Sequence, residues 1–172
     1  MRPEAEPRAH LVVRPLAAKD RGWAESLLVS RWGSSRIVSR GRVHDLMTLP
    51  GFVAEDRREP VGLATYRLED AECELTSLDA VQEHQGAGTA LLEAVRHAAG
   101  QAGCRRLWLV TTNDNLEALR FYQRRGLHLA AVHRDAVERS RQIKPEIPAI
   151  GDFGIPLRDE IELEALLMPE AA

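Results

Sequence analysis

A junction between a strand and a helix, built around two glycines, constrains this 172-residue chain more than any other feature. The residues from Cys73 to Asp79 predict a strand, and Gly86-Ala87-Gly88 then leads into a helix predicted from Thr89 to Ala102. Glycine lacks a Cβ atom, so its backbone can take positive φ angles and approach a ligand closely. The first turn of a helix adds free N–H groups and the positive end of the helix dipole. The junction is therefore predicted to be an anion-binding turn.

Composition limits what can be built around this turn. With 44% hydrophobic and 28% charged residues, the chain suits one globular domain, which we expect over residues 10–172 after a flexible polar tail at 1–9. The formal net charge of −3 argues against a nucleic-acid partner, because phosphate contacts need a concentrated basic surface. No apolar run approaches the roughly 20 residues that span a bilayer, and the first residues lack a signal peptide's apolar core. We therefore expect a cytoplasmic protein without a membrane partner.

Alternating short strands and helices predict a mixed α/β fold. Strands are expected at 10–14, 52–55, 61–68, 73–79, 107–111, 127–133 and 160–167. Helices are expected after an N-cap at Asp20, over 89–102, and between a cap at Asn115 and the stop at Gly126, while 34–47 is interpreted as helical or irregular. On the glycine-flanked helix, the predicted buried face comprises Leu91, Leu92, Val95, Ala98 and Ala102.

Three interpretations of the glycine turn compete. A dinucleotide-binding turn needs a third glycine, where this chain has Leu91, and a Walker phosphate loop needs a lysine that is absent here. A tight turn that binds nothing remains an alternative to phosphate binding, since a single Gly-x-Gly is weak evidence.

No metal site is predicted from the cysteines or histidines. Cys73 and Cys104 lack a C-x-x-C partner, so we expect two buried free thiols. The histidines do not follow metal-ligand spacing; those considered are His44, His84, His97, His128 and His133.

A second motif gives the glycine turn a family resemblance. Residues 83–88 read EHQGAG, and residues 115–126 read NLEALRFYQRRG. The first resembles the pyrophosphate loop [Q/R]-x-x-G-x-[G/A] of the GNAT acetyltransferases, and the second resembles their N-x-x-A-x-x-F-Y motif, which is followed by x-x-x-G. The resemblance implies the GNAT fold, a twisted mixed sheet of about seven strands flanked by about four helices. It also implies that acetyl-CoA is the co-substrate and that an amine is the acceptor.

The resemblance further implies which residues bind acetyl-CoA. The end of the strand would hydrogen-bond the pantetheine arm through its backbone, and the glycine turn would bind the pyrophosphate. Glu83 stands where the family has Gln or Arg, so we expect its side chain to turn to solvent. Asn115 is equally well explained as a helix cap that needs no ligand. The implied binding residues are Leu78, Asp79, Ala80, Gln85, Gly86, Ala87, Gly88, Thr89, Ala90, Asn115 and Tyr122.

Two catalytic residues are implied in the same way. Tyr122 matches the family's tyrosine that hydrogen-bonds the CoA sulfur and can protonate it; the alternative is a half-buried ring with its hydroxyl in water. Period two places Glu72, Glu74 and Thr76 on one strand face, and Glu74 is the first choice for the base, directly or through water. Solvated strand charges are the alternative for each glutamate.

The acceptor pocket is expected from two segments. The first, residues 32–45, offers Trp32, Arg40 and His44 as substrate contacts, and Arg40 with Arg42 could bind an acceptor carboxylate. The second is the connection at 134–159, interpreted as a lid or pocket wall or as an ordered surface loop. Together with late K-P-x-I-P and G-I-P-x-R-D-E sequences, they resemble a bacterial GNAT subgroup. A small molecule or a peptide could supply the amine, to a monomer or homodimer. A non-catalytic acyl-CoA-binding module is the alternative function.

Overall fold

The computed structural model describes residues 10–81 and 86–168. The predicted tail at 1–9 and part of the glycine loop, including Glu83, His84 and Gln85, lie outside these ranges. The strands are β1 Leu11–Pro15, β2 Arg36–Ser39, β3 Arg42–Asp45, β4 Gly51–Asp56, β5 Glu59–Glu69, β6 Glu72–Ala80, β7 Arg106–Thr112, β8 His128–His133 and β9 Glu160–Leu166. The helices are α1 Arg21–Trp32, α2 Ala87–Gln101, α3 Leu116–Gln123 and α4 Ala136–Ile143, with 3-10 turns at Ala18–Asp20, Leu46–Thr48 and Asp152–Gly154.

Seven of the strands form one mixed sheet in the order β1-β4-β5-β6-β7-β9-β8. Neighbouring strands are antiparallel except for β6 and β7, which are parallel and are connected through α2. The predicted mixed sheet of seven strands with four helices is confirmed. No helix of the described ranges is both long enough and apolar enough to cross a membrane.

The parallel pair at the centre of the sheet is short. Within the described residues, β6 and β7 are paired only where Glu72–Glu74 lie opposite Arg106–Trp108. Beyond this point the two strands separate, which leaves a cleft bordered by residues 75–80 of β6 and 109–112 of β7. A register shift against β5 on the other side of β6 leaves Thr76 unmatched in the pairing. The cleft therefore opens towards the end of β6, where the glycine turn begins.

Two apolar cores lie on opposite sides of the sheet. On one side, α2 buries Leu91, Leu92, Val95 and Ala99 against the central strands. The predicted face of α2 was wrong at Ala102, which is exposed because the helix ends one residue earlier, and at Ala98, which is only partly buried. On the other side, α1 packs with Ala24, Leu27 and Leu28 over β4 and β5. Both cysteines are buried and free, as predicted.

Residues 34–47 contain a hairpin rather than the expected helical or irregular segment. Strands β2 and β3 pair antiparallel, from Arg36 opposite Asp45 to Ser39 opposite Arg42. Between them, Arg40 and Gly41 both take positive φ angles, 54° and 70°. Two consecutive residues with positive φ form the turn that matches the twist of a two-residue hairpin. The sequence offered only Arg-Gly as a turn signal, between two four-residue runs that hold Ile37, Val38 and Val43.

The connection at 134–159 contains α4 and a loop that is bound to the sheet. Asn113, at the end of β7, accepts hydrogen bonds through Oδ1 from the backbone N–H groups of Arg158 and Asp159, both at 3.0 Å. On α4, Arg141 donates to the carbonyl oxygens of residues 147, 148 and 157. The sequence-based prediction missed α4, whose buried residues are Ala136, Val137 and Ser140.

Candidate functional site

The glycine turn at the end of the cleft has two different glycines. Gly86 takes a φ of 80° at the N-cap of α2, a conformation that side chains rarely adopt. Gly88 is different, because a Cβ atom there would lie 3.2 Å from the Phe121 ring. Gly88 therefore allows α3 to pack closely on α2. Helix geometry leaves the N–H groups of Ala87, Gly88 and Thr89 without acceptors inside the helix, as an anion site requires.

An arginine on the loop after α3 adds a positive charge to this turn. The Arg125 guanidinium lies over the Phe121 ring, 3.7 Å from its centre, and Nε donates to Thr89 Oγ1 at 2.8 Å. The first turn of α2 therefore combines free N–H groups with a nearby guanidinium. Arg125 was missed at the sequence level, although it stands four residues after Phe121 and so lies near that ring on an extended helical turn.

Tyr122 is almost completely buried, at 8% exposure, so its ring is not half-buried as the alternative required. Its ring packs edge-on against Phe121, with 5.1 Å between ring centres. Burial raises the pKa of Tyr122 above its usual range; the negative charge of Asp79 raises it further, and Arg125 opposes the shift. The phenol is therefore held protonated at neutral pH, as a proton donor requires. About two turns earlier, Asn115 Oδ1 accepts from the Ala118 N–H at 3.1 Å and caps α3.

Trp32 reaches the end of β6 from α1. Its Nε1 donates to Asp79 Oδ2 at 3.1 Å, and the neighbouring Arg31 donates to the Ala80 carbonyl at 2.9 Å. Asp79 is 8% exposed, and burial raises its pKa while the Trp32 hydrogen bond and the Arg31 charge oppose the shift. The sequence implied only a backbone role for Asp79. Its buried side chain had no sequence signal of its own.

Glu74 lies at the closed end of the cleft and is buried, so it is not a solvated strand charge. Its Oε2 accepts from Arg67 Nη2 at 2.9 Å and from Nε at 3.3 Å. Its Oε1 accepts from Ser39 Oγ at 3.5 Å and lies 3.8 Å from His44 Nε2 on the hairpin. Burial lowers the pKa of His44, with the Glu74 charge opposing, so His44 is neutral at pH 7. The structure therefore brings the expected base and one expected acceptor residue together.

A cavity of about 210 Å³ adjoins Glu74 and is predominantly acidic; its lining residues are Arg67, Glu69, Asp70, Glu72, Glu74 and Trp108. Arg40 is elsewhere: its backbone N–H donates to Glu160 at 3.1 Å, and it lines a separate cavity between the hairpin turn and α4. Arg42 is bound to Glu69 at 3.0 Å, with both side chains about half exposed. The arginine pair expected for an acceptor carboxylate is therefore divided between two places.

Comparison with known proteins gives this architecture a family. A family model described as "Acetyltransferase (GNAT) family" matches residues 18–127, more than half of the chain. The chain is 44% identical over 131 residues to YdhI, an uncharacterized protein of Bacillus subtilis (strain 168), which covers 76% of this chain and 82% of that protein. This protein belongs to the GNAT acetyltransferase family.

Solved structures show the same fold. A Bacillus subtilis acetyltransferase in complex with CoA superposes with a TM-score of 0.69 at 18% identity, over 92% of this chain and 99% of that one. A GNAT family acetyltransferase from Elizabethkingia anophelis with acetyl-CoA bound gives a TM-score of 0.68 at 19% identity, over 93% and 100% of the two chains.

Proposed function

We propose that this GNAT acetyltransferase transfers an acetyl group from acetyl-CoA to a primary amine by direct attack in a ternary complex. The observation that carries the proposal is the cleft between β6 and β7, with the start of α2 at its open end. The buried Tyr122, whose pKa is raised by the charge of Asp79 on β6, supports it. The CoA and acetyl-CoA in the similar structures support the same co-substrate here.

The open end of the cleft supplies the binding groups. Leu78, Asp79 and Ala80 lie beyond the paired part of β6, where their backbone groups facing the cleft can bond the pantetheine amides. The N–H groups of Gly86 to Thr89 would bind the pyrophosphate, with Gln85 contributing from the preceding loop. The Ala90 N–H donates to the Gly86 carbonyl at 3.0 Å, so Ala90 is proposed to lie beside the phosphates without donating to them. The side-chain oxygen of Asn115, Oδ1, already caps α3, so the side-chain nitrogen, Nδ2, is the group proposed to contact the co-substrate.

The chemistry requires proton transfers at both ends of the reaction. An alkylammonium has a pKa near 10.4, so it must lose a proton before it attacks the thioester carbonyl. Glu74 is proposed to accept that proton through water, while Arg67 binds its Oε2 atom. The Leu78 N–H is proposed to stabilise the oxygen as it becomes negative. Tyr122 is proposed to protonate the departing thiolate.

The acceptor is proposed to enter from the face covered by the hairpin and α1. Trp32 and His44 both reach β6 on that face, and the acidic cavity beside Glu74 suits a positively charged amine from a small molecule or a peptide. Arg40 lies apart from that cavity, and its contact with the acceptor stays a prediction. The single domain at 10–172, the cytoplasmic location and the monomeric or homodimeric state stay predictions.

A screen for CoA thiol release tests the activity. Purified protein and acetyl-CoA are mixed with a panel of primary amines: ethanolamine, lysine, spermidine and short peptides with free N-termini. Tyr122→Phe should lower kcat by roughly 10²-fold or more, since positioned acid–base groups contribute about that much. Acetyl-CoA affinity should change little. Acetyl-CoA binding without turnover on any amine would instead favour the non-catalytic module, and equal turnover by Tyr122→Phe would refute the acid role.

A further inference from the structure

The buried side chain of Asp79 has no task in the proposed backbone contacts. A carboxylate removed from water carries a free-energy cost unless charges or hydrogen bonds offset it. Among the described residues, Trp32 donates a hydrogen bond to this carboxylate, and the Arg31 charge lies nearby. The Glu74 carboxylate accepts hydrogen bonds from two nitrogens of Arg67, whereas the Asp79 carboxylate accepts one from the indole N–H of Trp32. This difference leaves Asp79 the more available proton acceptor of the two.

Asp79 is also the carboxylate nearer to the proposed reaction centre. It follows directly on Leu78, whose N–H is the proposed oxyanion donor. Glu74 is four residues from Leu78, which is about 13 Å along an extended strand. From α3, Tyr122 is the titratable group whose pKa the charge of Asp79 raises, and Arg125 is the charged group that opposes this shift. From α1, the facing groups are Trp32 and Arg31.

The chemistry leaves one proton without a described route. An ammonium must lose two protons to become an amide nitrogen, and only the first is assigned to Glu74. Tyr122 must also regain the proton that it gives to sulfur. We propose that Asp79, held by Trp32, is a second catalytic carboxylate that takes the second proton from the acceptor nitrogen and returns it to Tyr122. This inference rests on the proposed acetyl transfer.

The steps balance. Glu74 takes the first proton from the ammonium, and the nitrogen then forms a bond to the carbonyl carbon. The carbon–sulfur bond breaks, and sulfur takes the phenolic proton of Tyr122. Asp79 takes the second nitrogen proton and passes it through a bridging water to the tyrosinate, so Tyr122 and Asp79 return to their starting states. The products are amide, CoA thiol and one proton, which Glu74 releases to solvent.

The juxtaposition of Asp79 and Tyr122 can be tested without an acceptor. The chain has two tyrosines, so Tyr66→Phe leaves Tyr122 as the only one, and tyrosinate absorbance then follows its ionisation. Asp79→Asn in this background should move the ionisation of Tyr122 to lower pH, because the neighbouring negative charge is lost. Glu74→Gln should leave it in place. An unchanged titration in Asp79→Asn would overturn the proposal, even if the amine screen finds no acceptor.

The proton-transfer role is tested with the best amine of the screen. Asp79→Asn should lower kcat by roughly 10²-fold with acetyl-CoA affinity retained. Trp32→Phe removes a hydrogen bond that lowers the pKa of Asp79, so the acidic limb of the kcat profile should move to higher pH. If the hydrogen bond between Trp32 and Asp79 only stabilised the fold, Trp32→Phe would not shift the acidic limb of the kcat profile. Parental kcat and parental pH profiles in both folded variants would overturn the role.

Discussion

Removal of Arg67 should destabilise the protein strongly, because it leaves the buried Glu74 carboxylate without its guanidinium. The side chain of Glu74 is 4% exposed, and Arg67 binds it through two nitrogens. Loss of one partner from a buried ion pair costs about 3–5 kcal/mol. Ser39 and His44 remain beside Glu74, so we expect Arg67→Met to fall near the lower end, about 3 kcal/mol. For a chain of this size, that corresponds to a Tm lower by about 10 °C.

The matched control is Arg42→Met, on the hairpin. Arg42 also binds a carboxylate, Glu69, but both side chains are about half exposed. Exposed ion pairs contribute about 0–1 kcal/mol, so this variant should lie close to the parent in urea and thermal unfolding. The double variant Arg67→Met with Glu74→Gln should recover part of the loss, since no buried charge then remains unpaired. Equal unfolding free energies for the two single arginine variants would refute the burial argument.

Two further changes probe the fold around the site. Gly151→Ala should lower the free energy of unfolding in urea by about 2–3 kcal/mol, because a Cβ atom would overlap the Asp114 carboxylate that accepts from the Asp152 N–H. Gly100→Ala is the control, since the space around Gly100 is open and this change should be neutral or stabilising. Equal effects of the two changes would contradict the steric account. Asp20→Asn should destabilise by about 1–3 kcal/mol at pH 7, since Arg14 holds the pKa of Asp20 at about 2. This contribution is present above the unfolded pKa, near 4, and is lost as the pH falls towards 2, so a variant whose deficit persists at pH 2 would contradict it.

The strands of the seven-stranded sheet and the glycine turn could be predicted because each of these strands carries a local signal. Apolar runs, turn residues and the caps at Asn115 and Gly126 lie in the elements that they define. The hairpin of residues 36–45 was missed because its strands have four residues each, too few for a clear period. Helix α4 was missed because most of its residues are polar and it buries only a narrow stripe.

In the candidate site too, residues within local motifs could be predicted and those brought together by tertiary contacts could not. Residues in contiguous motifs, such as Tyr122 and Gly86, were predicted from the resemblance of those motifs to the family's. The partners of Glu74 and Asp79 were not, because Arg67, Ser39 and Trp32 are brought there by strand pairing and helix packing over 7 to 47 positions. Contacts over such separations leave no pattern in a single sequence. The guanidinium of Arg67 beside Glu74 was therefore known only from the structure.

Calorimetric titration with acetyl-CoA tests the central claim most directly. The parent protein should bind acetyl-CoA, and Ala90→Glu should bind it more weakly than Ala90→Gln. The two side chains have nearly the same size, but only the glutamate repels a pyrophosphate on the first turn of α2. A glutamate near this helix end also favours the helix, so weaker binding would not reflect unfolding. No heat of binding from the folded parent would contradict the account, and equal affinities for the two variants would remove the pyrophosphate from the start of α2.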